Sequence, residues 1–393
     1  MKIAVISYQF PPDFGIGGVG VYSSRLAYGL SDFGHEVHVI AHTNPDDAQE
    51  TDIKVGKVVV HRIHEPKWSQ KIPFLRVLLY RWRIRMKAME IYLERGLDVI
   101  EAPNWVFEGL LLAMLPFPVP LITRMHTPMF EHYGASGHRI TFSVKVLCLL
   151  EKIAVLFSDG YVTSTTFYAK KMSDAYGIPL EKINIVPLGV ELPERNQIST
   201  DSKREIVKVL FVGRLEDRKG TKYLLKAIPV VLQMCSNVSF TFIGKDFENN
   251  HQRRFEEETQ NIFKDKVFFL GFVDDDDLKD YYRDCDIFVV PSLSESFGLI
   301  FVEAMSWAKP VIACDVCGIS DVVKHFESGI LVRPKNEYQL AEALAKLIND
   351  KDLRQEMGRR GREICEQKFE INFMVQNMVS IYLKHLNAYD ISG

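Results

Sequence analysis

The sequence predicts an α/β protein made of two Rossmann-like domains, each a doubly wound parallel sheet. Three observations lead there. Short runs of Val, Ile, Leu and Phe alternate with helical patterns along the chain, and strands that alternate with helices pack as parallel sheets covered on both faces. The alternation occurs as two series with a polar stretch between them. The length of 393 residues, 47% of them apolar, is enough for two cores.

The first series opens with the strand Lys2–Ser7, a Gly-rich loop to Gly20 and a helix through Leu30. Strands Glu36–Ala41 and Lys57–Arg62 follow, then a helical segment from Phe74 to Arg95 and the strand Val99–Glu101. Strand Leu121–Arg124, a helix over Phe142–Phe157 and strand Gly160–Ser164 come next, and Val186–Val190 closes this half. The polar residues from Pro193 to Glu205 read as a linker, giving a first domain at 1–192, a linker at 193–206 and a second domain at 207–369. The second series has strands at Val207–Val212, Ser239–Ile243, Lys266–Leu270, Ile287–Val290, Val311–Ala313 and Ile330–Val332, with a helix from Thr221. The last stretch, Glu370–His385, is helical in pattern with no strand after it. As a C-terminal helix within 370–393 it is expected to pack back on the first domain.

A formal charge of −3 gives no global pull toward nucleic acid, which is not expected as a partner. The apolar run Leu110–Ile122 is broken by three prolines, and Phe142–Phe157 carries Lys145, Glu151 and Lys152. Neither supplies the ~20 clean residues of a bilayer span, and the opening apolar run is too short for a signal peptide. The reading is a soluble, cytoplasmic protein, with attachment to a membrane surface left open. Six scattered cysteines suggest no disulfide framework and fit a reducing compartment.

In open parallel sheets ligands sit at the C-terminal ends of the strands, so the loops there carry the candidates. Gly15–Gly20 reads Gly-Ile-Gly-Gly-Val-Gly, but the tight turn of a dinucleotide site is absent and no acid ends the second strand. It is either a bare loop that lets backbone approach a phosphate at a helix N-terminus, or a purely structural loop. Gly213-Arg214-Leu215-Glu216-Asp217-Arg218-Lys219-Gly220 follows a buried strand with cations that could neutralise a diphosphate; a solvated charged loop is the alternative. Pro291 to Met305 contains Glu295 and Glu303 eight positions apart, roughly 12 Å if all were helical. That is too far to share a proton or metal, and it suits two hydroxyl-bearing ends of one ligand with a phosphate at the amides of Phe297, Gly298 and Leu299 between them.

The Gly-Arg-Leu…Lys-Gly loop, Pro-Ser…Glu-Ser-Phe-Gly…Glu-Ala-Met and Lys-Pro-Val-Ile-Ala together resemble the retaining family-4 glycosyltransferases of GT-B fold, the glycosyl transferases group 1. The resemblance covers essentially the whole chain and is densest from Val209 to Pro334. It implies two domains facing a cleft, a nucleotide-sugar donor and no required metal or other cofactor. By resemblance, Arg214 and Lys219 hold the donor diphosphate, Glu303 accepts from the ribose hydroxyls, and Glu295 holds hydroxyls of the transferred sugar. Backbone groups of Phe297, Gly298 and Leu299 contact sugar and phosphate, and Gly17 and Gly18 are the phosphate-contacting glycines of the first domain. His126, in Met125-His126-Thr127-Pro128, matches the family's active-site histidine; without the resemblance, a lone histidine is more often structural. No side chain stands out as a general base. A UDP-sugar of the glucose type is the favoured donor, GDP-mannose the alternative, and a hydroxyl of a saccharide or lipid-linked acceptor the recipient, in polysaccharide or glycolipid synthesis.

The rivals are weaker on the same residues. An epimerase of this fold does not need Glu295 and Glu303 in this spacing, and a phosphorylase needs a pyridoxal-binding lysine in a longer chain. A non-catalytic nucleotide-sugar sensor has little reason to keep Arg214, Lys219, Glu295 and His126 together. The acid run Asp274–Asp277 reads as capping and dipole complementarity of a helix from Leu278 rather than a metal site. Cys314-Asp315-Val316-Cys317 is a lone pair with no second pair for zinc. From Lys57 to Lys87 the chain has nine Lys or Arg residues against Glu65 alone, interleaved with Trp82, Tyr80 and aliphatics. That pattern fits either docking on an anionic membrane at the inner face or a solvated face packed on the core.

Overall fold

The computed structural model describes residues 1–11, 17–43, 52–64, 73–135, 141–198, 205–246 and 250–392. They form two compact units, Met1–Gly189 with Ile371–Gly393, and Val190–Glu370.

The first unit contains β1 (Lys2–Ser7), α1 (Gly18–Asp32), β2 (Glu36–His42), β3 (Asp52–Val55), β4 (Val58–Ile63), α2 (Pro73–Arg95) and β5 (Val99–Pro103). It continues with α3 (Leu110–Met114), β6 (Leu121–Met125), α4 (Met129–Ala135), α5 (Phe142–Leu156), β7 (Gly160–Thr163), α6 (Thr166–Tyr176) and β8 (Ile183–Ile185). The strand order is β3-β4-β2-β1-β5-β6-β7-β8. All neighbours pair in parallel except β3, which runs antiparallel to β4 at the edge. Ile3, Ala4, Val5 and Ile6 of β1 are all buried, because a parallel sheet covered on both faces offers no wet side. Right-handed crossovers put α2, α3, α5 and α6 on one face of this sheet. The helix that ends the chain packs against α1 on the other face.

The second unit contains β9 (Val207–Val212), α7 (Thr221–Met234), β10 (Val238–Ile243), α8 (His251–Glu258), β11 (Val267–Gly271) and α9 (Asp275–Asp284). Then come β12 (Ile287–Val290), α10 (Leu299–Ser306), β13 (Val311–Cys314), α11 (Ile319–Val322), β14 (Gly329–Val332), α12 (Glu337–Asn349) and α13 (Lys351–Lys368). The order β11-β10-β9-β12-β13-β14 reverses direction between β9 and β12, the switch point where such sheets hold ligands. The C-terminal helix α14 (Ile371–Ser392) belongs to the first unit, where Met374, Val375, Met378 and Tyr382 are buried.

Several boundaries differ from the sequence reading. The last strand of the first unit is Ile183–Ile185 rather than Val186–Val190, because Val190 N instead donates to Phe369 O at 2.8 Å in the second unit. The expected linker at 193–206 begins inside that unit: Arg362 donates to Pro193 O at 3.0 Å and Arg195 pairs with Glu366 at 2.9 Å. Residues 199–204 of it lie outside the described residues. Helix α1 starts at Gly18, earlier than the glycine loop suggested, and the edge strand β3 was not anticipated. Asp274 is the residue before α9, but its side chain makes no capping hydrogen bond; the acids Asp275, Asp276 and Asp277 lie in the first turn, where the helix dipole favours them. All six cysteines are free thiols, and burial pushes Cys314 up to about 12.

Candidate active site

In the second unit, two loops meet at the switch point. The loop after β9 runs from Gly213 through a 3-10 turn at Asp217–Lys219, and the loop after β12 runs from Pro291 to Gly298. Gly220 makes the meeting possible. It has φ +71, and a Cβ there would lie 1.9 Å from the Pro291 carbonyl oxygen, so no other residue fits without moving one loop. Leu293 N then donates to Arg218 O at 2.8 Å, and Arg218 Nη1 to Ser294 O at 3.4 Å.

This contact brings Lys219 and Glu295 together, with Nζ donating to Oε2 at 2.7 Å and each side chain only 13% exposed. Burial pushes the Glu295 carboxyl up, but the charges of Lys219 and Arg218, with hydrogen bonds from Lys219 and Ser292, outweigh it and hold the carboxyl below its ordinary range. Glu295 is therefore an ionised carboxylate beside two cations. Arg214 is on the same loop but more open, 59% exposed, with Glu216 at 3.4 Å as its partner.

Phe297 is an anchor: its ring is buried edge-on against Phe369 at 5.7 Å, leaving its backbone for any ligand. Gly298 (φ +83) precedes α10, and a Cβ there would meet the Phe301 ring at 2.5 Å. Among the described residues, the amides of Phe297, Gly298 and Leu299 have no acceptor within the protein. Unpaired amides at a helix N-terminus form an anion site when they have a ligand to face. Within the stretch from Glu295 to Glu303 only Leu299 onward is helical, so the helical rise does not by itself set the separation of the two carboxylates. Glu303, half-buried on α10, accepts from Tyr282 of α9 at 3.1 Å.

The first unit holds the remaining candidates. Gly17 and Gly18 enter α1; Gly17 N donates to Gln9 Oε1 at 3.0 Å, and the position of a Cβ on Gly18 is open space. Gly15 lies outside the described residues. His126 follows β6, and its backbone N donates to Asn104 Oδ1 at 2.7 Å. Asn104 Nδ2 in turn donates to Glu151 Oε1 at 2.8 Å, and Glu151 also accepts from Met129 N at 3.1 Å. The imidazole lies edge-on to Tyr22 at 5.4 Å, and its Nε2 is buried with no hydrogen-bond partner among the described residues. Burial, helped by the nearby Arg124 charge, pushes His126 down to about 3, so the ring is neutral and one of its nitrogens is unsatisfied.

Asn104 and Glu151 support His126 in the first unit and Tyr282 supports Glu303 in the second, and sequence reasoning gave none of these three a role. Only Glu151 left a signal, as the one acid of α5; burial pushes it up to about 7. Among the described residues no group of three or more His, Cys, Asp or Glu side chains is placed to hold a metal ion.

The Glycosyltransferase Family 4 model matches residues 16–194, and the Glycosyl transferases group 1 model matches residues 193–364. The chain belongs to this glycosyltransferase family. An uncharacterized glycosyltransferase of Methanocaldococcus jannaschii is 27% identical over 399 residues, covering 97% of this chain and 98% of its own. Sucrose-phosphate synthase from Thermosynechococcus elongatus superposes with a TM-score of 0.80 at 22% identity, over 98% of this chain and 99% of the other. HepE of Anabaena, solved in complex with UDP and glucose, gives 0.71 at 19% identity over 97% and 99%. Those likenesses establish the GT-B fold. In this glycosyltransferase the switch-point loops of the second unit thus carry the paired Lys219 and Glu295.

The basic stretch of the first unit is less available than its sequence suggested. Arg62 is buried and donates to Phe10 O at 2.8 Å and Pro11 O at 3.0 Å. Arg81 is buried over the Phe107 ring at 4.7 Å, and Arg85 donates to the carbonyls of Leu111, Leu115 and Pro116. Lys87 pairs with Glu90 at 2.7 Å, while Lys67 and Lys71 lie outside the described residues. No helix among the described residues is long and apolar enough to cross a membrane.

Proposed function

We propose that this glycosyltransferase moves a hexose from a nucleotide-sugar donor to an acceptor hydroxyl with retention of anomeric configuration. The observation that carries the reading is the Lys219–Glu295 pair beside the unpaired amides of 297–299 at the switch point of the second unit. A cation, a row of amides and a carboxylate in that order suit a ligand with a diphosphate between two sets of hydroxyls.

In this reading Lys219 and Arg214 hold the diphosphate and stabilise charge on the departing oxygen, which supplies that charge compensation without a metal. Glu295, oriented by Lys219, accepts from hydroxyls of the transferred sugar. Glu303 accepts from the ribose hydroxyls, and Gly17 and Gly18 offer backbone to phosphate. His126, neutral and with Nε2 unsatisfied, hydrogen-bonds the donor sugar and fixes its reacting centre. No protein base is assigned: the acceptor oxygen bonds to the anomeric carbon on the face the nucleotide leaves, and the departing phosphate oxygen takes its proton. A UDP-sugar of glucose type is favoured, in keeping with the UDP and glucose bound by HepE; a GDP-mannose donor is the second reading. The acceptor is a saccharide or a lipid-linked sugar, placing the enzyme in polysaccharide or glycolipid synthesis at the inner membrane face.

A thermal-shift panel of UDP, GDP, ADP and their sugar conjugates tests this. A stabilising shift selective for one nucleotide, absent from Glu303→Ala, is expected. Equal shifts for all three bases would remove the base selectivity, and a shift that survives Glu303→Ala would remove the ribose role. No shift with any of them, from folded protein, would overturn the donor-site assignment.

A further inference from the structure

We infer that the outer face of α5 in the first unit docks the protein on an anionic lipid surface. Phe142 is 82% exposed, Leu149 56%, Leu156 41% and the following Phe157 62%. With half-buried Val146, residues 142, 146, 149 and 156 recur at steps of four, three and seven, which is one stripe along a helix, while Ile153 packs against the Phe107, Leu110 and Met129 cluster. The opposite side of α5 already meets the needs of the fold. Ala154 and Val155 are buried there, and Leu147 and Leu150 pack at Phe107, Leu110 and Met129. The outer stripe is thus apolar surface that folding does not require, and a continuous patch of that kind marks a contact.

Charge selects the partner. The one acid of α5, Glu151, points inward to Asn104 and the Met129 amide. Lys145 and Lys152 lie two turns apart along one edge of the stripe. Lys145 is exposed; Lys152, half-buried, donates to Ala175 O at 3.2 Å while keeping further N–H groups. The exposed face therefore carries bulky apolar groups, lysines and no acid. Pairing with a second copy would set lysine against lysine. A bilayer with anionic headgroups takes both features at once, the stripe entering the acyl boundary and the ammonium groups meeting phosphates. This locates the contact on α5 rather than on residues 57–87, where Arg62, Arg81 and Arg85 are bound internally. The docking deepens the lipid-linked acceptor reading, yet requires nothing of the donor site.

Sedimentation of the full chain with vesicles, of phosphatidylcholine alone or with phosphatidylglycerol, tests it. The wild type should pellet with the anionic vesicles at low salt and less at high salt. Phe142→Ser with Leu149→Ser should cut partitioning about tenfold or more, and Lys145→Glu several-fold on anionic vesicles only. All three side chains are exposed, so melting temperature and nucleotide shifts should not change, which separates loss of docking from loss of the donor site or of the fold. Wild type left in the supernatant at low salt overturns the proposal. So does a double variant that pellets like wild type. A wild-type dimer that the double variant turns into monomer, without vesicle binding, assigns the face to a second copy and equally overturns it.

Discussion

At the scale of single residues, His126 shows how burial sets chemistry. An exposed imidazole titrates near 6.5, whereas His126 is pushed down to about 3 by burial and by Arg124. Its backbone is fixed by Asn104, and its ring is bordered by Tyr22, whose hydroxyl donates to buried Glu101 at 2.6 Å. The ring therefore offers a neutral Nε2 rather than a positive charge, which suits a sugar hydroxyl better than a phosphate. Because the unfolded chain binds a proton that the folded one refuses, His126 makes stability fall as pH drops from about 6.5 toward about 3. Nitrogen-15 NMR of the histidine rings should show His126 neutral from about pH 8 to about pH 5, and His126→Phe should flatten the acid side of the stability curve. An inflection of the His126 ring near 6.5 would contradict the buried, neutral state. The candidate residue itself was legible, since His126 closes a strand in a motif shared with a family. Its support was not: Asn104 and Glu151 lie 47 positions apart, and only the fold brings them together.

At the scale of elements, strands of the second unit were legible almost to the residue because each is a short apolar run ended by a turn. Val207–Val212 and Ile287–Val290 begin and end where the sequence put them. β3 was missed, since Asp52-Ile53-Lys54-Val55 is short, half polar and stabilised by pairing with β4 rather than by its own pattern. The last strand of the first half was misplaced because Ile183, Ile185, Val186, Leu188 and Val190 are apolar on both sides of the boundary, and it is pairing with β7 at Tyr161, Val162 and Thr163 that makes 183–185 the strand. The loops of the site depend on such long-range contacts most of all. Gly220→Ala should cost about 2–4 kcal/mol, combining a left-handed backbone with a Cβ against the Pro291 carbonyl. Relief of that clash parts the two loops, so nucleotide affinity should fall along with the denaturant midpoint, because Lys219 and Glu295 lose their 2.7 Å contact. A variant that lost stability and kept wild-type affinity would show that the pair does not organise the donor site.

At the scale of the whole molecule, the two units differ in how the chain builds them. The second is continuous, Val190–Glu370, with its own six-stranded sheet. The first is assembled from both ends, because α14 covers α1 and reaches the sheet. Tyr382 of α14 donates to Glu101 on β5, the same carboxylate that Tyr22 of α1 engages, and Arg124 lies over the Tyr22 ring at 4.5 Å. Burial pushes the Glu101 carboxyl up, and the two phenol hydrogen bonds and Arg124 work against that, so removing Tyr382 leaves a buried carboxyl short of a donor. Without α14, the side chains that meet Met374, Val375 and Met378 would also face water. A fragment of residues 190–370 should therefore fold alone, with a cooperative melt and dispersed NMR signals. A fragment of residues 1–189 should not fold until a peptide of residues 371–393 is added, and Tyr382→Phe in that peptide should weaken the rescue. Independent folding of residues 1–189 would mean that α14 is an appendage. Failure of residues 190–370 alone would mean that the continuous half needs the other half to fold.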